Sequence, residues 1–404
     1  MLGKKDLAGR IKYKLEIFAK AVIFLIIYSI SGFFQKKEKY RNLWIVSERG
    51  DDAGDNGYSF FCYMRREHPE YNVKYVIKTN VPDARKVKQT GEIIPFGSME
   101  HYLSIILAKV LVSTHVLGYT TNDYLFKKFE RRGMLKGKRI FLQHGITKDD
   151  IWQLYRKETL PDLYACVLEK EADYIRKKFG HPDSVVQLTG FCRYDQLPLP
   201  GERRKKMRMI LFMPTWRSDL HFYSKNDFTE SSYYRNWQTL MNSPEFLLLL
   251  EKYDYRMFFY PHHQMQKFID TFSSVSERVT IASEKDYQVQ KLLIEADILV
   301  TDFSSVFFDF AYMQKPLIYF QFDEKDYREK NYRPGWFCYE TDGLGKVVQQ
   351  PKKVISELEN ILARGCTMDT LYRERQKRLF IFHDHNNCER TFKAIEKLLI
   401  SEKS

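Results

Sequence analysis

Cysteine is scarce in this sequence and scattered. Its six copies, Cys62, Cys166, Cys192, Cys338, Cys366 and Cys388, form no C-x-x-C pair and no cysteine–histidine cluster of zinc-site spacing. That excludes a disulfide scaffold and a structural zinc module, and it leaves reduced thiols in a cytosolic body, none set as a nucleophile. No acidic cluster demands a metal. No repeat of solenoid period and no low-complexity tract is present, so neither an array nor a disordered tail is expected. No known nucleic-acid module is visible. The uncharged run near the N-terminus, Ala21 to Phe34, falls short of the roughly 20 apolar residues that cross a bilayer.

What is present is enough to build two domains: 404 residues, 44% hydrophobic and 15% aromatic. The formal net charge of +13 favours anionic partners, whether nucleic acid, acidic lipid or a phosphate-rich substrate, and is equally compatible with plain solubility. Part of the charge brackets the uncharged run: Lys4, Lys5, Arg10, Lys12 and Lys14 precede it, and Lys36, Lys37, Lys39 and Arg41 follow. No small-residue cleavage site is present, so a cleaved signal peptide is not expected. The pattern predicts, over residues 1–40, a helix lying in the interface of an anionic membrane, with an ordinary buried helix as the alternative.

After residue 40 short apolar runs alternate with helical stretches. Strands are expected at 43–47, 73–77, 109–113, 139–143 and 164–168, with helices near 58–66, 99–108 and 171–179. A Leu-Pro-Leu-Pro-Gly break at 197–201 precedes a second series, with strands at 209–213, 257–260, 298–300 and 317–320. The fold class is therefore α/β with two Rossmann-like domains, 41–200 and 201–370, facing a central cleft, and with closing helices over 371–404. Ligands of such sheets bind beyond the carboxyl ends of the strands, so strand-end residues carry the interest.

Among them, Thr301-Asp302-Phe303-Ser304-Ser305 turns from a buried run into a helix. A turn of this kind offers backbone N–H groups, a helix dipole and two serine hydroxyls to a phosphate, and equally provides ordinary N-cap residues. Asp302 suits capping or orienting its neighbours. His144, beside Gly145, ends the fourth expected strand, and His262 and His263 end the seventh. One imidazole can take a proton from a hydroxyl while another faces developing phosphate charge. Thr215 and Arg217 end the sixth expected strand; Arg217 suits either a phosphate or a carboxylate partner. His68, His101, His115, His181 and His221 have no such setting and are read as structural or exposed.

Taken in order, Gln143-His144-Gly145, Thr189 to Asp195 (TGFCRYD), Pro214 to Arg217 (PTWR), the His262 region and above all Ala296 to Tyr327 resemble the CDP-glycerol glycerophosphotransferase family, the polymerases and primases of teichoic acids and related capsules. The resemblance runs over about residues 40–395, with Glu389-Arg390 in the closing helix. It implies a GT-B-like fold, a CDP-glycerol or CDP-ribitol donor held by the C-terminal domain on Thr215, Arg217 and the Thr301–Ser305 turn, His144 as base and His262 as its partner. Gly145, Arg193, Asp195, His263 and Arg390 are candidate supporting residues. It further implies peripheral attachment to the cytoplasmic face of the cell membrane and a lipid-linked or polymeric acceptor. No cofactor or resident metal is required, a divalent cation is compatible, and no nucleic acid is expected. Where the family often reads His-Gly-Thr-Pro-Leu-Lys, this chain has His144-Gly145-Ile146-Thr147-Lys148. Two other readings stay open: a GT-B glycosyltransferase using a nucleotide-sugar, and a non-catalytic scaffold at the membrane surface.

Overall fold

A computed structural model describes residues 3–202 and 207–401. The outer ends of the first and last expected segments, 1–2 and 402–404, and residues 203–206 lie outside the described residues. The apolar runs form two sheets, each parallel throughout. The first contains β1 (Trp44–Ser47), β2 (Val73–Ile77), β3 (Ile93–Pro95), β4 (Val110–Ser113), β5 (Lys138–Phe141), β6 (Leu163–Cys166) and β7 (Val186–Leu188), in the order β3-β2-β1-β4-β5-β6-β7. The second contains β8 (Met209–Met213), β9 (Arg256–Phe259), β10 (Val279–Ile281), β11 (Ile298–Thr301), β12 (Leu317–Phe320) and β13 (Lys346–Val348), in the order β10-β9-β8-β11-β12-β13. Each sheet starts at its middle, runs to one edge and then restarts beside its first strand. That doubly wound order creates a switch point where two adjacent strands send their loops apart, and ligands of such sheets bind there. The switch points are β1/β4 and β8/β11.

The strand interiors are apolar on both faces because helices cover both. In the first sheet Trp44, Val46, Tyr75 and Val112 face one buried cluster, and Ile45, Val76 and Leu111 face another. In the second, Ile210, Phe212, Ile298 and Val300 pack with Trp237, Phe246 and Leu358 from the covering helices. Lys315 is fully buried, and its ammonium donates to the carbonyls of Leu293, Ile294 and Ala296 at 2.7, 2.7 and 2.8 Å. It thereby satisfies the exposed carbonyl end of helix Val289–Glu295, where the dipole also favours a cation.

The chain divides into two compact units: Met1–His144 with Trp152–Asp195 and His385–Ser404, and Gly145–Ile151 with Gln196–Asp384. These units cut the chain differently from the contiguous segments 41–200, 201–370 and 371–404. Helix Asn387–Ile400 contributes Cys388, Phe392 and Ile395 to the core of the first sheet. Residues 145–151 belong to the second unit, where Asp149–Asp150 pairs in an antiparallel ribbon with Arg333–Pro334.

The N-terminal helix, Gly3–Ile30, is longer than the uncharged run suggested. Lys20 does not end it: its ammonium bonds Glu16 one turn away, at 2.7 Å, and reaches the Thr121 carbonyl. Ile11–Phe33 is 23 residues of mean hydropathy 1.8, long and apolar enough by composition to cross a membrane. One face docks on the first unit, where Phe24 is fully buried and stacks on Phe129 at 4.2 Å. Ile11, Leu15, Phe18, Val22 and Leu25, spaced four and three apart, remain exposed.

Candidate active site

At the switch point of the second sheet, the loops after β8 and β11 meet on one carboxylate, and the loop after β12 joins them through Arg217. Asp302 has no exposed surface. Its Oδ1 accepts from the Thr215 amide (2.8 Å), the Thr215 hydroxyl (2.6 Å) and the Phe303 amide (2.7 Å). Its Oδ2 accepts from Arg217 Nη2 at 2.8 Å. Arg217 also makes a two-pronged bond to Asp323, 2.8 Å on each side, and donates from Nη1 to the Thr215 carbonyl at 2.9 Å. Of the two partners left open for Arg217, the carboxylates are the ones it has. Thr301 is likewise buried, its hydroxyl given to the Met213 carbonyl at 2.6 Å. Thr215, Arg217, Thr301 and Asp302 thus form the frame that fixes the turn.

Ser304 and Ser305 are the part of the turn that stays accessible. Among the described residues their backbone N–H groups have no acceptor. Ser305 opens helix Val306–Tyr312 without a side-chain capping bond. A Cβ on Gly145 would lie 2.5 Å from Ser305 Oγ, so the 145–151 segment lies close on this turn. In the same segment Lys148 is buried beside Asp149, which also pairs with Arg328 at 2.7 Å. Burial holds the Lys148 ammonium below its ordinary pKa, against the pull of Asp149.

The histidine doublet separates. His262, half-buried, accepts the Gln264 amide on Nδ1 at 3.2 Å and lies parallel to Trp216 of the β8 loop, ring centres 6.3 Å apart. That bond leaves Nε2 as the protonated nitrogen of its neutral ring. His263 points to solvent and pairs with Glu284 at 2.5 Å. His262 is therefore the member that borders the switch-point loops.

In the first unit, His144 follows β5 through Gln143, whose φ of +58° lies in the left-handed region that non-glycine residues avoid. Three contacts hold that strain: Gln143 Nε2 donates to the Ala165 carbonyl (2.6 Å) and Glu171 (3.1 Å), and its own carbonyl accepts from Asn56 Nδ2 (2.8 Å). His144 is exposed at the strand end. The groups packed against the rest of its ring still desolvate the charged form and lower its pKa from the ordinary value; Asp55 and a backbone bond with Thr114 oppose the shift, while Arg193 and Arg49 add to it.

Two neighbours carry signals that sequence reading missed. His115, at the end of β4, stacks on His144 with ring centres 4.5 Å apart and planes 3° from parallel. Glu48, at the end of β1, is buried and accepts the amides of Gly54, Asp55 and Tyr58, each at 2.9 Å. It therefore fills the start of helix Asn56–Glu67 with the protein's own carboxyl group. Burial, with the charges of Asp55 and Asp52, pushes that carboxyl up to about 8.

Of the supporting candidates in this unit, Arg193 pairs with Asp55 at 2.7 Å. Asp195 accepts the Asn387 amide and side chain and the Cys388 amide at 2.7, 2.7 and 2.8 Å. Arg390 donates to the Thr189 carbonyl at 3.1 Å and to Asn387 at 2.6 Å. Asp195 and Arg390 thus latch the closing helix. Among the described residues no group of three or more His, Cys, Asp or Glu side chains is arranged to hold a metal.

The sequence profile of the CDP-glycerol:poly(glycerophosphate) glycerophosphotransferase family matches residues 171–397, more than half of the chain. The chain belongs to that family. Among its relatives, the minor teichoic acid biosynthesis protein GgaB of Bacillus subtilis is 27% identical over 392 residues, covering 94% of this chain and 42% of that protein. The teichoic acid poly(glycerol phosphate) polymerase of Staphylococcus epidermidis is 22% identical, with 87% and 51% covered. The teichoic acid glycerol-phosphate primase of B. subtilis is 30% identical over 292 residues, with 66% and 71% covered. The chain spans about half the length of the first two. The wall teichoic acid polymerase TagF superposes with a TM-score of 0.64 at 20% identity, covering 98% of this chain and 99% of the other. A UDP-N-acetylglucosamine 2-epimerase from Listeria monocytogenes superposes at 0.54 with 10% identity, covering 89% and 96%. At these identities the two structures show a shared α/β architecture of parallel sheets. The family profile begins after β6, so His144 lies outside the matched stretch.

Proposed function

We propose that the protein transfers glycerol phosphate, or a related polyol phosphate, from a CDP-linked donor to a hydroxyl of a lipid-linked or polymeric acceptor. The acceptor oxygen attacks the phosphorus bearing the polyol, its proton passes to His144, and CMP leaves with the electrons of the broken P–O bond. The observation that carries this reading is the Ser304–Ser305 turn. Two amides without protein acceptors, on the half-buried Ser304 and Ser305, stand at the β8/β11 switch point, on a frame tied by Asp302 and Arg217. Such donors stabilise the charge that moves onto a leaving phosphate, and in phosphoryl transfer positioning and charge stabilisation do most of the catalysis. The lowered basicity of His144 keeps it neutral at pH 7, the form a base requires.

That His144 and His262 act on one phosphate, across a cleft shared by the two units, rests on the family resemblance. A double-mutant cycle on turnover tests it: coupled losses support joint action, and additive losses oppose it. No resident metal is needed. A divalent cation riding on the donor diphosphate would enter with the substrate, and CMP release in EDTA against Mg2+ separates the cases.

The membrane reading rests on the exposed Ile11–Leu25 stripe of a helix whose opposite face is docked on the first unit. A helix held along a globular body lies in the interface more readily than it crosses the bilayer. It supports peripheral attachment at the cytoplasmic face of the cell membrane, in teichoic acid or capsule synthesis.

The deciding experiment offers CDP-glycerol, CDP-ribitol and UDP-N-acetylglucosamine in turn, with a glycerol-phosphate-terminated lipid acceptor. CMP release with either CDP donor supports the reading. UDP release makes the protein a glycosyltransferase, and no turnover with any donor leaves the scaffold.

A further inference from the structure

The geometry points to His115 as a positioning residue for His144, holding the ring that acts as base in one orientation and one tautomer. The inference rests on the reading of His144 given above. Two imidazoles from adjacent strands, β4 and β5, lie face to face at 4.5 Å and 3° from parallel, which leaves the His144 ring no free rotation toward that side. The platform is itself fixed. His115 Nδ1 lies 3.0 Å from the Thr114 hydroxyl, its amide donates to Ser113 Oγ at 3.2 Å, and its carbonyl accepts the Gly118 amide at 3.0 Å. A Cβ on Gly118 would come within 2.1 Å of the Glu48 carbonyl oxygen and 2.4 Å of Ser113 Oγ, so the loop is pressed onto the end of β1.

The same loop supplies the Thr114 backbone bond to the His144 ring. A ring nitrogen that donates to a carbonyl leaves the other as the lone-pair nitrogen, the one able to take a proton. His115 stays neutral beside it, because burial lowers its own basicity and the charges of His144 and Arg49 would oppose a second proton, against the pull of the Glu48 backbone. The charged groups acting on His144 are Asp55, Arg49 and Arg193. An uncharged stacked ring thus restricts the base without adding charge to it.

The test compares His115→Phe, which keeps a flat ring, with His115→Ala, which removes it. Steady-state CMP release from CDP-glycerol is measured from pH 5 to 9. His115→Ala lowers kcat by about 10- to 100-fold with KM for the donor unchanged, and His115→Phe restores most of the loss. Thermal melting confirms that both variants fold. In parallel, ¹H–¹⁵N long-range spectra of the histidine-labelled full chain read the His144 tautomer without substrate. A single neutral tautomer in wild type and His115→Phe, averaged in His115→Ala, is expected. An unchanged His144 tautomer and an unchanged kcat profile in His115→Ala overturn the inference. If His144→Ala is fully active, the base assignment falls instead, while the spectra still decide whether His115 orients the ring.

Discussion

An imidazole must be neutral before it can accept a proton, and His144 is held below the ordinary histidine pKa near 6.5. Its neutral form therefore predominates at pH 7 and is lost as pH falls further. The acid limb of kcat/KM therefore lies below 6.5, with a plateau from 7 to 8, and a limb above 7 in a pH–rate series contradicts the assignment. His144→Ala should lower turnover by about 10²- to 10⁴-fold with an unchanged melting curve. His101 makes the opposite case, a histidine whose titration concerns stability. It is fully buried, accepts the Gly97 amide on Nδ1 (3.0 Å) and reaches the Tyr119 carbonyl from Nε2 (2.8 Å); burial lowers its pKa to about 4. The unfolded chain binds its proton first, so the contribution is whole above 6.5 and is lost as pH falls toward 4, up to about 3 kcal/mol. Urea midpoints between pH 7 and 4 read that slope, and His101→Gln should flatten it. The strand-end position of His144 was legible in the sequence; its stacking on His115, 29 positions earlier, was not, because only the pairing of β4 with β5 brings the two rings together. Arg217 shows the same limit. Its carboxylate partners, Asp302 and Asp323, are two acids among the many that sequence offers.

At the scale of elements, the central strands were legible because long-chain and β-branched residues run unbroken through them: β2, β8 and β12 fall at the expected residues. β3, β7, β10 and β13 were missed. Each has three residues, too few for a periodic signal, and each lies toward a sheet margin where burial is less complete. The closing helix also concealed its role. Asp195, in TGFCRYD, caps Asn387–Ile400 from 192 positions away, and Gly190, with φ of +75°, leaves room for Asn387, whose Oδ1 a Cβ would meet at 1.8 Å. Asp195→Ala removes all three bonds at the start of that helix. It should lower stability by about 1–3 kcal/mol in urea and expose the 380–386 stretch to proteolysis. Unchanged stability and protease resistance would return Asp195 to the list of functional candidates.

For the whole molecule, a charge of +13 and an exposed apolar helical face act together on an anionic surface. Binding to vesicles containing phosphatidylglycerol should weaken as salt rises, since screening shortens the reach of the charges to about 8 Å at 0.15 M. Phe18→Asp should reduce it by about tenfold or more at any salt while the melting curve stays unchanged, because Phe18 is 68% exposed. Flotation assays check both, and binding by Phe18→Asp equal to wild type removes the helix from the membrane contact. Two parallel sheets were legible from the restart of the apolar pattern after residue 200. The sharing of the polypeptide between units was not, because composition does not change at 145, 152 or 385. The backbone passes from one unit to the other four times, at 144/145, 151/152, 195/196 and 384/385. Neither half can accordingly be cut out as an uninterrupted gene fragment: a product stopped at residue 200 would lack the helix that closes its own core, and one begun there would lack the ribbon partner of Arg333–Pro334.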